Sequence, residues 1–135
     1  MRWLNKESIK AALELVDKYR SITLEDLEAN PINEEDGEDI WESLSKITGF
    51  GYKDKCPICL SVNRECNECI YSFGRVLRYS WNYCCDNSTS EDIYDANSYE
   101  ELLDAIKNRA DYIEDLVNRI KSDNSGIVLQ NNSSE

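Results

Sequence analysis

Cys56-Pro57-Ile58-Cys59 and Cys66-Asn67-Glu68-Cys69 form two C-x-x-C pairs with six residues between them, and Cys84-Cys85 follow fourteen residues later. That spacing suits metal ligation. A C-x-x-C pair can wrap a tight turn around an ion and offer it two thiolates, and zinc takes four ligands tetrahedrally, with sulfur at about 2.3 Å. Proline inside the first pair helps to fix the turn. Cys56, Cys59, Cys66 and Cys69 together supply a full shell of four thiolates. The short gap between the pairs leaves room for a second set, in which Cys84 or Cys85 replaces Cys66 or Cys69. Adjacent cysteines rarely ligate one ion together, so at most one of Cys84 and Cys85 is expected to bind. Structural disulfides, a redox or sensing thiol site and an iron–sulfur centre compete for the same residues. A structural zinc is the preferred reading. The chain contains no histidine, so a zinc shell here is all-cysteine. Four thiolates also close the position that a catalytic zinc keeps open.

Other reactive arrangements are scarce. The chain has no P-loop, no G-x-G-x-x-G, no H-E-x-x-H and no G-x-S-x-G. Without histidine it lacks the commonest general base. Nothing distinguishes a carboxylate pair from a solvated helix face, so no enzymatic activity is expected. Arg75 and Arg78 lie among Tyr71, Phe73, Tyr79, Trp81 and Tyr83. Such a mixture can stack on single-stranded nucleic acid, but rings filling the core beside the metal are the simpler expectation.

Charge gives the second signal. The 135 residues include 27 acidic and 15 basic side chains, for a formal charge of −12. Residues 1–50 carry a net −6, residues 51–90 a net +1, and residues 91–135 a net −7. All six cysteines lie in the near-neutral middle. The excess argues against a direct grip on nucleic acid, whose affinity comes from neutralising phosphates. Anionic membrane surfaces are disfavoured on the same ground. Glu25 to Glu42 holds nine acidic residues and no basic one, and Glu91 to Asp104 holds six and no basic one. Carboxylate rows on helices can imitate phosphates and steer a protein towards basic clefts. Glu34, Glu35, Asp36, Glu38, Asp39, Glu91, Asp92 and Asp95 are therefore the candidate partner contacts. The bland alternative is a solubilising surface.

Helices must position these groups. Ile9, Ala12, Leu13 and Val16 follow amphipathic spacing, and Asn5 is a suitable N-cap. Thr23 to Asp26 reads as a capping box opening a short helix around Leu24 and Leu27, which Asn30-Pro31 ends. Asn33 is expected to cap the next helix, with Glu34, Glu35 and Asp36 in its first turn. Its apolar face is Ile40, Trp41, Leu44 and Ile47, and Gly49 is its C-cap. A short helix is expected from about Phe73 to Tyr83, although the same stretch also fits strand alternation. Ser98 to Glu101 is a further capping box. After it, Tyr99, Leu103, Ile106, Ala110, Ile113, Val117 and Ile120 make an a/d stripe along a helix of about 34 Å. Leu102 and Leu116 widen the stripe, as for a helix packed on a core, and a self-associating coiled coil is the competing use. The helix is expected to end between Ser122 and Gly126.

The fold class expected is mainly α, in one small domain over residues 1–126. Acidic helices occupy 1–50, the cysteine-rich metal region 51–90 and an acidic helix 91–121, with a flexible tail over 127–135. The first ten residues hold no apolar h-region, and no run approaches the roughly 18 apolar residues needed to span a bilayer. A monomer in the host bacterial cytoplasm is expected.

At C-P-I-C, C-N-E-C and Cys84-Cys85, followed by Ile93-Tyr94-Asp95-Ala96 and the acidic helix, the chain resembles small cysteine-rich proteins of phages and prophages. The resemblance covers roughly Gly51 to Ile120. It implies zinc ligands at Cys56, Cys59, Cys66 and Cys69, with Cys85 in the place of a fifth cysteine. The doubled Cys84-Cys85 departs from that pattern. In size, acidity and metal staple the chain also looks like an anti-CRISPR protein directed at type II nucleases, a likeness of kind and not of motif. That likeness implies an inhibitor that binds a positively charged nucleic-acid channel and blocks loading of target DNA. A zinc-stabilised interaction module of phage or bacterial regulation and a thiol redox protein are the alternatives.

Overall fold

The computed structural model describes residues 5–32, 35, 39–52, 55–65, 69–72 and 88–130, with backbone alone for residue 72 and residues 123–130. Asn5 starts the first helix, α1 (Lys6–Arg20), by accepting the amides of Glu7 at 2.9 Å and Ser8 at 3.1 Å on its side-chain oxygen. Ser8, Ile9, Ala12, Leu15, Val16 and Tyr19 are buried. Leu13, expected on that face, stays 37% exposed. The inner face is turned towards Leu15 and Tyr19 because α1 packs on two elements at once. One is the long C-terminal helix and the other is the short helix of the cysteine segment.

The second helix, α2 (Leu24–Ala29), opens on a reciprocal capping box. Thr23 Oγ1 accepts the Asp26 amide at 3.2 Å, and the Asp26 carboxylate accepts the Thr23 amide at 3.0 Å. Asn30 closes it by donating from its side chain to the Asp26 carbonyl. The third helix, α3 (Ile40–Thr48), begins later than Asn33 would place it. Asp39 is its N-cap and accepts the Trp41 amide at 2.9 Å. Asp39 stands directly ahead of the buried pair Ile40-Trp41, so capping and burial agree there. Asn33 itself lies outside the described residues. Gly49 ends α3 in the left-handed region at φ 80°, donating to the Ser45 carbonyl. The Ser43 hydroxyl donates to the Asn30 carbonyl and ties α3 to the end of α2.

The cysteine segment contributes α4 (Pro57–Ser61) and a 3-10 turn at Ile70–Ser72. A further helix that periodicity did not announce, α5 (Ser88–Asp95), leads into the last, α6 (Tyr99–Gln130). The helix expected over Phe73 to Tyr83 lies outside the described residues. Ser98 caps α6 by accepting the Glu101 amide, and the Glu101 carboxylate reaches back to the Asn97 amide at 2.9 Å. The helix continues through Ser122–Gly126 to Gln130. A single interior glycine costs only about 1 kcal/mol relative to alanine, too little to force an end.

The long helix is the centre of a mainly helical single domain. Ile106, Ala110, Ile113, Val117 and Ile120 are all fully buried. They are covered by α1, α2, α5 and the 3-10 turn of the same chain, so the a/d stripe is spent on the internal core. Tyr99, its first member, remains 38% exposed. No helix among the described residues is long and apolar enough to cross a membrane.

Among the described residues, one charged side chain is inside. Arg109 is 1% exposed and donates from Nη1 to Thr89 Oγ1 of α5 at 2.9 Å. Its guanidinium lies over three rings, at 5.4 Å from Trp41, 5.6 Å from Tyr52 and 5.0 Å from Tyr71. Trp41 and Tyr52 are themselves stacked, 3.7 Å apart and parallel to within 1°. A desolvated cation over aromatic faces gains about 2 kcal/mol from the ring quadrupoles.

Candidate functional site

The cysteine segment is held at both of its described ends by Arg109. Tyr52 precedes Cys56 and Tyr71 follows Cys69, and both rings lie against the guanidinium. Cys56 occupies the N-cap position of α4, with Pro57 behind it in the first helical turn, where a missing amide hydrogen costs nothing. The Cys59 carbonyl accepts the amides of Val62 at 3.2 Å and Arg64 at 2.8 Å. Asn63 and Arg64 are both left-handed, at φ 54° and 64°. That pair of residues follows the end of α4. Cys56 and Cys69 are buried, and Cys59 is half-buried.

Cys66, Cys84 and Cys85 lie outside the described residues. Among the described residues, no three His, Cys, Asp or Glu side chains form a group that could hold a metal ion. In donor chemistry, the thiols of Cys56, Cys59 and Cys69 suit soft, thiophilic ions.

The acidic runs are placed more fully. Glu91, Asp92 and Asp95 are all exposed on α5. Asp39 is exposed while capping α3, and Glu35 is exposed ahead of it. Glu34, Asp36 and Glu38 lie outside the described residues. The fold brings apolar residues of the two stretches to one place. Ile32 and Ile40 from the first run and Ile93, Tyr94, Tyr99 and Leu102 from the second line a single open cavity of about 450 Å³. Asp92, Asp95, Glu101 and Asp104 border a shallower hollow of about 310 Å³, which shares Ala96 with the first. The acidic positions were legible in sequence; the apolar hollow between them was not. Its signal was present in Ile93-Tyr94 and Tyr99, apolar residues set within a run of carboxylates.

A second groove, about 670 Å³, runs between α1 and α6 and mixes Lys6, Lys10 and Lys121 with Ile9, Leu13 and Glu14. At one end Arg20 forks onto α6, with Nη2 at 2.8 Å from Asp111 and Nη1 at 2.9 Å from Glu114. The hydrogen bonds Arg20 donates to Glu114 and then to Asp111 raise its pKa further. In turn, the hydrogen bond from Arg20 holds the Glu114 carboxyl below its usual range.

No family model, curated protein or solved structure matches the chain. The fold defines a class only, a small helical protein, and the site is an open apolar hollow lined by residues from two acidic stretches.

Proposed function

We propose that this chain is a non-enzymatic binding protein whose acidic face docks on the basic, nucleic-acid-handling surface of a partner protein. The observation that carries this reading is one open cavity lined by apolar residues from two basic-free acidic stretches of the chain, with Glu100 in its wall. Carboxylates alone would serve solubility as well. An apolar hollow set among them is what a protein–protein contact uses, with a desolvated centre inside a polar rim. The resemblance in kind makes an RNA-guided type II nuclease the first partner to test, with blocked loading of target DNA as the mechanism. The channel that holds guide and target in such nucleases is positively charged, and acidic side chains can occupy or shield it. A regulator of phage or bacterial transcription or replication would use the same face.

A structural zinc on Cys56, Cys59, Cys66 and Cys69 belongs to this proposal as the staple of the loop, with Cys85 or Cys84 as alternate ligands. Elemental analysis with a thiol count should return one zinc per chain and two reactive thiols. For the binding role, the decisive assay is target-DNA binding by a programmed type II nuclease with and without this protein. Inhibition should weaken as salt rises, because screening shortens from about 10 Å at 0.1 M to about 3 Å at 1 M. It should also fall when Glu91, Asp92 and Asp95 are changed together to Asn or Gln. Inhibition unchanged by that neutralisation would sink the electrostatic mechanism, and an unaffected nuclease would send the search to another basic partner.

A further inference from the structure

We propose that the cavity between Ile32, Ile40 and the α5–α6 junction is an anchor pocket for one large apolar side chain, presented by a partner segment that carries Lys or Arg on both sides of it. This rests on the reading that the acidic face binds a basic protein, and it names the chemistry of the segment bound.

Three observations carry it. First, exposed apolar surface is concentrated here. Of the five large hydrophobic side chains exposed among the described residues, Ile32 (40%), Tyr94 (47%) and Tyr99 (38%) all line this cavity. Isolated exposed apolar residues are ordinary, whereas a contiguous patch rimmed by polar groups marks a contact site. Second, the hollow has a firm floor. Ile40, Ile93 and Leu102 at its base are buried members of the core, and Tyr94 is braced edge-on against Trp41 at 5.8 Å. At about 450 Å³ it lies within the range of pockets that enclose a bulky group, roughly 300–1,000 Å³. Third, the charge beside it has one sign. Glu100 lines the cavity, which has no basic residue in its lining, and Asp92, Asp95, Glu101 and Asp104 line the neighbouring hollow that shares Ala96 with it. No basic residue occurs between Glu91 and Ile106.

Charge selects the occupant. A second copy of this chain would bring its own carboxylates to the same rim and be repelled, and an anionic small molecule meets the same barrier. A segment with cations flanking an apolar residue satisfies both the hollow and the rim, with Leu, Phe or Trp seated inside. Aromatic and Arg anchors in central pockets are where binding energy concentrates in protein interfaces.

The test uses three synthetic peptides and the full chain labelled with ¹⁵N. One peptide has a Leu-Trp pair between two runs of three lysines. The second replaces that pair with Ser-Ser, and the third keeps Leu-Trp between neutral glutamines. The first should bind at least tenfold tighter than either of the others, with amide shifts concentrated at residues 93–102. An Ile32→Ser/Tyr99→Ser double variant, both changes at exposed positions, should bind the Leu-Trp and Ser-Ser lysine peptides equally. Equal affinity of the native chain for those two peptides would overturn the anchor and leave the acidic docking reading standing. Failure of every lysine peptide to bind would remove both. Equally tight binding of the glutamine peptide, or shifts centred on Leu13 in the α1–α6 groove, would also overturn the pocket assignment.

Discussion

Arg109 occupies a position that its neighbours in the helix fill with leucine. Leu102 and Leu116 lie seven residues to either side of it, and all three point inward. The step of seven was readable in the sequence. The residue type concealed it, because arginine is almost never fully buried unless paired. The pairing is supplied by rings that come from three other segments, at Trp41, Tyr52 and Tyr71, and by Thr89. No local pattern could have announced that assembly. Arg109→Lys keeps the charge but loses the planar guanidinium that stacks on the rings. It should lower stability by about 2 kcal/mol, measured by urea denaturation. Ile113→Ala, at a fully buried position, should cost about 2–5 kcal/mol. An Arg109→Lys variant as stable as the parent would show that the stack contributes little.

At the scale of elements, several caps were legible in the sequence. Asn5, the Thr23 box and Gly49 stand as spacing placed them. The N-cap of α3 is Asp39, which the spacing did not single out and which is adjacent to the residues that bury. The short helices α4 and α5 carry too few turns to show a period. Thr23→Ala removes one half of a reciprocal cap and should cost about 1 kcal/mol, seen as a lower urea midpoint. The link between α1 and α6 through Arg20 and Glu114 is pH-sensitive. The Glu114 carboxyl is lowered in the folded state, so the link stabilises above the unfolded carboxyl pKa of about 4.3. That contribution is lost as pH falls through the folded value. Melting temperatures of the native chain and Glu114→Gln should therefore differ at pH 7 and converge in acid. The difference should also shrink in salt, since the pair is exposed. A gap that persists unchanged at pH 2 would point to packing as its cause.

For the whole molecule, charge and cysteine describe different regions of the chain. Ile32 and Ile40 from the first acidic stretch and Ile93, Tyr94, Tyr99 and Leu102 from the second line one cavity, a convergence of segments more than fifty residues apart in the chain. Separation of that kind is invisible to periodicity, because it depends on how α3 and α5 pack against the long helix. The cysteine pairs were legible from spacing alone, and Cys56, Cys59 and Cys69 are buried or half-buried. With the proposed zinc bound, the four thiolates add two negative charges net, and binding of structural zinc contributes on the order of 10 kcal/mol in small domains. Treatment with a strong chelator should then lower the melting temperature by about 10 °C or more. The helicity of α1 and α6 should survive at 20 °C, because their shared core lies along α1 and α6 themselves. A melting curve indifferent to chelator would argue against the metal.

The indole of Trp41 lies flat on Tyr52 and edge-on to Tyr94. One ring thus touches both the approach to the cysteine segment and the wall of the acidic cavity. That makes it an optical gauge built into the molecule. With Trp3 and Trp81 changed to Phe, the remaining emission should be blue-shifted, as for an indole withdrawn from water, 5% exposed. Its quenching should respond to chelator through Tyr52 and to a seated peptide through Tyr94, so a single fluorescence trace can follow both regions at once.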